Sequence, residues 1–199
     1  ADTVDQVLTE DATPNPATDY GRSKLMAEQY IQGQTLPDGK SYYILRPCMI
    51  HGAGNKGNLN LLYQFVSKGI PYPLAAFHNK RSFLSIENLC FVINELIKRD
   101  DVLPGIYQIA DDEAISTNEL IKIIGTAIGK KIKLWAVPRW LIKGLAKLGD
   151  ITKLPINTER LSKLTENYIV DNKKIMSMLK TGLPVKTRDG ILKTINTFK

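Results

Sequence analysis

Short apolar runs at residues 41–46 and 106–110 alternate with stretches in which apolar residues recur three and four positions apart. That alternation constrains the fold more than any other feature. Strands separated by helix-period segments are joined by crossovers and lie parallel, so the chain reads as α/β. A helix carrying Tyr20 should follow a polar, proline-bearing loop over residues 1–18 and end at Gly33. A second helix is expected over residues 59–68. A third, over residues 86–98, should bury the stripe Ile86, Leu89, Cys90, Ile93, Leu96 and Ile97. Ser116-Thr117-Asn118-Glu119 is a capping box that opens a helix to about residue 128. Residues 131–137 read as a strand, Pro138 as the first turn of another helix, and residues 155–199 as mainly helical with a short strand at 168–170.

Length and composition narrow the class. At 199 residues, 43% hydrophobic and 24% charged, the chain supports a real core and fits an ordinary globular protein. No apolar stretch reaches membrane-span length, and the N-terminus has neither the basic start nor the apolar run of a signal peptide. Cys48 and Cys90 lack CxxC spacing, so neither a disulfide framework nor a zinc site is expected, and a cytoplasmic location is the default. His51 and His78 are the only histidines and have no paired ligand spacing, so no metal is expected. The net charge of +7 sits mostly in residues 120–199, which hold 17 Lys and Arg against 5 Asp and Glu. Such a surface solvates the protein or draws an anionic ligand; no nucleic-acid motif accompanies it.

The chemistry begins at Asp19-Tyr20-Gly21-Arg22-Ser23-Lys24. Tyr20 and Lys24 are four residues apart, so on a helix they share a face with Cβ atoms about 5–6 Å apart. An ammonium at that range favours a phenolate, and such a tyrosine can exchange a proton with a sugar hydroxyl or ketone. The spacing alone is common. Its setting, from Pro14 through Lys24 to Ala27-Glu28, resembles the catalytic helix of extended short-chain dehydrogenase/reductases, the NAD-dependent nucleotide-sugar epimerase/dehydratase family. Leu45-Arg46-Pro47 leading to His51-Gly52, and then Arg81-Ser82-Phe83-Leu84-Ser85-Ile86-Glu87-Asn88-Leu89, resemble later blocks of that family in the same order.

The resemblance implies the C-terminal part of a Rossmann-like protein with a small mixed α/β substrate-binding lobe. Residues 1–110 would hold the remainder of the Rossmann-like domain, interleaved with lobe segments, and residues 111–199 mainly the lobe and C-terminal helices. Only 19 residues precede Tyr20, too few for the βαβ unit that holds a dinucleotide, and no upstream Ser/Thr partner for the tyrosine is in place. The expectation is a chain that by itself binds NAD poorly and is inactive. Gly52-Ala53-Gly54-Asn55-Lys56-Gly57 satisfies GxGxxG but is read as a decoy, because no acidic residue follows before Glu87 to hold a ribose.

By the same resemblance Tyr20 and Lys24 are catalytic, and Tyr20, Lys24, Pro47 and Ile50 bind NAD. Asn58, Leu59 and Arg81 would hold the diphosphate and orient the sugar. Asn58 has amide donors and Arg81 a guanidinium fork suited to phosphate, although an N-cap for Asn58 and a surface ion pair for Arg81 are the plainer alternatives. The chain departs from the family at Met49, His51, Ser82 and Ser85, which obscures the identity of the sugar.

The implied activity is 4-epimerisation or 4-ketoreduction of a UDP-hexose or UDP-N-acetylhexosamine, with 4,6-dehydration or a non-catalytic binding protein as alternatives. The implied partners are a nucleotide sugar and, since relatives often pair through the Tyr–Lys helix, a second copy. Residues 133–149 combine Trp135 and Trp140 with lysines among aliphatics. They read as an aromatic-anchored helix packing over the lobe, with an anionic membrane surface as the other option.

Overall fold

The structure, a computed structural model, describes residues 7–152 and 157–198. Its elements run α1 (Asp19–Gln32), β1 (Tyr43–Pro47), β2 (Met49–His51), α2 (Asn58–Ser67), β3 (Phe83–Ser85), α3 (Ile86–Lys98), β4 (Gly105–Ile109), α4 (Thr117–Ala127), α5 (Arg139–Thr152), α6 (Thr158–Thr165), α7 (Lys173–Leu179) and α8 (Thr187–Asn196). β1 pairs in parallel with β4, Tyr43 opposite Gly105 and Pro47 opposite Ile109. β2 pairs in parallel with β3, Met49 opposite Phe83. The chain is therefore α/β, as its alternation requires.

One residue separates the two pairs. Cys48 donates its N–H to Ile109 O (3.1 Å), extending the β1–β4 ladder by one bond before the chain turns to β3. On the other side Asp111 N–H donates to Phe83 O (2.8 Å). The strands thus fork at their carboxyl ends, where residues that bind ligands sit in parallel α/β sheets.

Two apolar cores flank the fork. Leu84, Val92, Leu96, Tyr107, Ile109, Ile175 and Leu179 lie in the core of the β1–β4 sheet, and Leu59, Val66, Phe83, Ile121, Ile124, Ile191 and Ile195 in the other. Residues from both sides of position 110 contribute to each. Segment 168–170 stitches the halves together: Tyr168 bridges Arg81, and Val170 bridges Leu8.

Three local expectations change. α3 forms as expected but is rotated: it buries Asn88, Val92 and Leu96, while Ile97 is 77% exposed and Cys90, Ile86 and Ile93 also face solvent. The cause is polar. Asn88 donates to Asp111 Oδ1 (2.6 Å) and Val185 O (2.7 Å) and accepts from Val185 N–H (3.0 Å), so an amide centres the buried face. Residues 131–137 form two isolated bridges, Leu134 to Tyr72 and Ala136 to Leu74, parallel and antiparallel in turn, which no continuous ladder accommodates. The tryptophans do not anchor α5: it buries Ile142, Ala146 and Gly149, and Trp140 is 74% exposed.

Candidate active site

A small cleft of about 40 Å³, open to solvent, lies where β2, β3, α2, α4 and α6 converge. Met49, Asn58, Leu59, Leu62, Arg81 and Phe83 line one part of it; Ile115, Thr117, Leu120, Lys163 and Leu164 line the rest. The structure thus brings together Asn58, Leu59 and Arg81, which are separated by as many as 23 positions in sequence.

Arg81 is fixed by its backbone. Its N–H donates to Ile115 O (2.9 Å), its C=O accepts from Ile115 N–H (3.0 Å), and it bridges Tyr168 on the other side. Nη1 donates to the Lys163 carbonyl, while Nε is buried without a partner among the described residues. No carboxylate forms an ion pair with it among those residues, so the surface ion pair considered for Arg81 is not what holds it. Burial pushes the guanidinium's pKa down, opposed by the charge of Glu166. A partly desolvated cation without an ion partner is costly, and an anion seated beside it would offset that cost.

Asn58 is the first residue of α2, because Gly57 is the N-cap. Its side chain is therefore not used as a cap, and the residue lines the cleft. Leu59 is buried and floors the cleft, while the positive end of α2 points the same way. Lys163 on α6 adds a second cation at the rim, ion-paired one turn away with Glu159 (2.5 Å). Asn79 is 2% exposed and bonds Thr117 Oγ1 (2.9 Å), Thr117 N–H (3.3 Å) and Leu164 O (3.2 Å), locking α4 against the end of α6. Sequence reasoning singled out neither Lys163 nor Asn79. Lys163 reaches the cleft from a distant element and Asn79 supports its lining through Thr117 and Leu164; neither carries a local signal.

Tyr20 and Lys24 lie elsewhere. Thr18 caps α1, its Oγ1 accepting from Gly21 N–H (3.1 Å), and the first turn places both side chains on one face in solvent. Lys24 Nζ sits 5.4 Å from the Tyr20 ring centroid, and Tyr20 is 73% exposed. The ammonium thus stacks on the ring face. Neither residue lines the cleft. α1 buries no side chain at all. A clamp ties it to β1: Arg46 Nε donates to Glu28 Oε2 (3.0 Å), Nη2 to Glu28 Oε1, and Nη1 to Glu10 O (3.2 Å). Pro47, at the end of β1, and Ile50, in the middle of β2, are exposed and also lie outside the cleft.

The GxGxxG stretch has a structural explanation. A Cβ at Gly52 would come within 2.6 Å of Ile86 Cγ2, and Gly54 has φ +75°. The Gly57 N–H is already bonded to Asn55 Oδ1 (2.8 Å), so the loop closes on itself rather than on a phosphate. The departures from the family pattern are likewise structural: Ser85 caps α3, and Ser82 Oγ accepts from Val170 N–H (3.0 Å). His51 is buried, with Nδ1 2.9 Å from Thr194 Oγ1 and Nε2 3.6 Å from Asp111 Oδ2. Among the described residues no group of three or more His, Cys, Asp or Glu could hold a metal ion.

Comparison with known proteins agrees with this fold. The model of the NAD dependent epimerase/dehydratase family matches residues 2–110. The chain is similar to a UDP-glucose 4-epimerase of Vibrio cholerae, 29% identical over 92% of this chain and 54% of that protein. It is also similar to an N-acetyl-alpha-D-glucosaminyl-diphospho-ditrans,octacis-undecaprenol 4-epimerase of Escherichia coli O157:H7, 26% identical over 62% of this chain and 38% of the relative. A solved structure of the Thermus thermophilus UDP-glucose 4-epimerase in complex with NAD superposes with a TM-score of 0.66 at 20% identity, over 98% of this chain and 58% of that one. The chain thus spans about half the length of the first of these relatives and less of the second. With matching motif order, parallel strands and a family model covering more than half its residues, the chain belongs to the NAD-dependent epimerase/dehydratase family.

Proposed function

We propose that the cleft holds the diphosphate of a UDP-hexose or UDP-N-acetylhexosamine and that Tyr20 is the acid/base of a 4-epimerase or 4-ketoreductase. One observation carries the reading: Arg81 presents a partly buried guanidinium, with no carboxylate partner among the described residues, into a cleft shared with Asn58 and Lys163. Two phosphates need that set of donors. The guanidinium takes two oxygens at once, and the amide and the positive helix end take others. Leu62, Phe83 and Leu164 supply the apolar part of the lining beside them.

NAD, when bound, supplies the hydride acceptor for the sugar carbon. Tyr20, Lys24, Pro47 and Ile50 fit that group in one respect: all four are exposed, so none is committed to the interior. Tyr20 takes the proton of the C4 hydroxyl as the carbonyl forms and returns it afterwards. Lys24 steadies the phenolate and orients the ribose. Arg81, Asn58 and Lys163 hold the nucleotide, so that the sugar alone moves. This chain by itself is proposed to bind nucleotide sugar without turning it over.

The test is turnover of UDP-hexoses with NAD by the protein at the full length of its relatives, followed by NADH absorbance and product stereochemistry. Tyr20→Phe should lower turnover by roughly 10²–10⁴-fold and leave UDP affinity intact. Unchanged turnover overturns the assignment.

A further inference from the structure

We propose that α5 is a membrane-surface helix that lies on an anionic phospholipid bilayer. Its buried side is narrow, formed by Ile142, Ala146 and Gly149. At 100° per residue, Leu141, Leu145 and Leu148 form a second stripe beside it, and Trp140 and Ile151 continue that stripe around the outer side. All five are exposed, from 41% at Leu141 to 82% at Ile151. A helix of this length presents about 20 Å of apolar surface with Trp140 near one end and Ile151 near the other.

The charge around that stripe selects the occupant. Lys143 and Lys147 border it on the solvent side, and neither has an ion-pair partner among the described residues. The two other charged residues of the helix are turned to internal work. Asp150 accepts from Thr158 N–H (2.9 Å) and Thr158 Oγ1 (2.5 Å), and Arg139 donates to Ala76 O (2.8 Å) while stacking on Phe77 (5.6 Å). Along the stripe and its border what remains unengaged is aliphatic, indole and ammonium. That combination lies in the plane of a bilayer, with its lysines extended to acidic headgroups. The residue 120–199 excess of cations makes an anionic leaflet the favoured one.

The experiment is co-sedimentation of the full chain with vesicles of phosphatidylcholine alone and of phosphatidylcholine mixed with phosphatidylglycerol. Trp135→Phe leaves Trp140 as the only indole reporter. The expected result is binding to the mixed vesicles, weakened by salt, with a blue shift of Trp140 emission. Lys143→Gln with Lys147→Gln should weaken binding about 30-fold. Leu148→Gln with Ile151→Gln should abolish it, with an unchanged far-ultraviolet spectrum because both sites are exposed. Failure to bind mixed vesicles overturns the proposal, as does binding indifferent to both pairs of substitutions. A Trp140 shift that grows with protein concentration in the absence of lipid overturns it in favour of a second copy on this face.

Discussion

Asn88→Ala should be among the most damaging single changes in this chain. The side chain is 0% exposed and makes three bonds: to Asp111 Oδ1 at 2.6 Å, to Val185 O at 2.7 Å and from Val185 N–H at 3.0 Å. Truncation leaves a buried N–H and a buried C=O without partners and deprives a buried carboxylate of one donor. Each orphaned group costs about 1–3 kcal/mol. Partial relaxation of the backbone around Val185 brings the sum to about 3–5 kcal/mol. That is a large part of the roughly 5–15 kcal/mol a domain has, and at this length it lowers Tm by roughly 10 °C. Urea titration followed by circular dichroism measures it, with the exposed Gln34→Ala as the control, expected within about 0.5 kcal/mol of wild type. Asn88→Asp adds a check of sign. The introduced carboxyl can donate to Asp111 only when protonated, so its folded pKa is raised above the ordinary value of about 3.9. Its contribution is therefore present at low pH and lost as pH rises through that folded value. The deficit must grow from acid to neutral pH. A loss under about 1 kcal/mol for Asn88→Ala, or a deficit that shrinks with pH, refutes the reasoning.

Other outcomes follow from the same contacts. Glu28→Ala removes the clamp from Arg46 and should raise amide exchange across residues 19–32, which have no buried side chain to hold them; unchanged exchange there contradicts the clamp. Glu119 is held below the usual carboxylate range by the Ser116 N–H, burial opposing, with Arg188 and the Ser116 hydroxyl also lowering it. Its stabilisation is present above the unfolded pKa and lost as pH falls through the folded one, so Glu119→Gln should flatten that part of the acid limb in a pH titration of stability. Burial, with the charge of Asp111, pushes the Cys48 thiol up to about 12, whereas Cys90 is exposed. One thiol should therefore react with a disulfide reagent at mildly alkaline pH in the native protein and two in urea; two fast thiols in the native state contradict the burial.

The elements legible in the sequence are those with local causes. Gly33 ends α1, and the Ser116–Glu119 box opens α4, because capping depends on residues within one turn. β2 and β3 were not legible as strands: three residues each give no periodicity to read, and their pairing is decided by the fork after Cys48. The face of α3 was misjudged because hydropathy places the amide of Asn88 outside, whereas Asp111 and Val185, from distant segments, draw it in. The same limit applies to the cleft. Arg81 and Asn58 stood out by type and motif position. Lys163, whose carbonyl Arg81 reaches across 82 positions, belongs to the site only through tertiary packing.

The central claim is that the Arg81 guanidinium awaits a diphosphate, and calorimetric titration of UDP and UMP into this chain tests it most directly. The account predicts that UDP binds more tightly than UMP, that Arg81→Ala weakens UDP binding by at least about tenfold, as loss of a charge-assisted pair demands, and that the exposed, fold-neutral Asn58→Ala also weakens it. Equal affinity for UDP and UMP, or UDP binding indifferent to both substitutions, would contradict it.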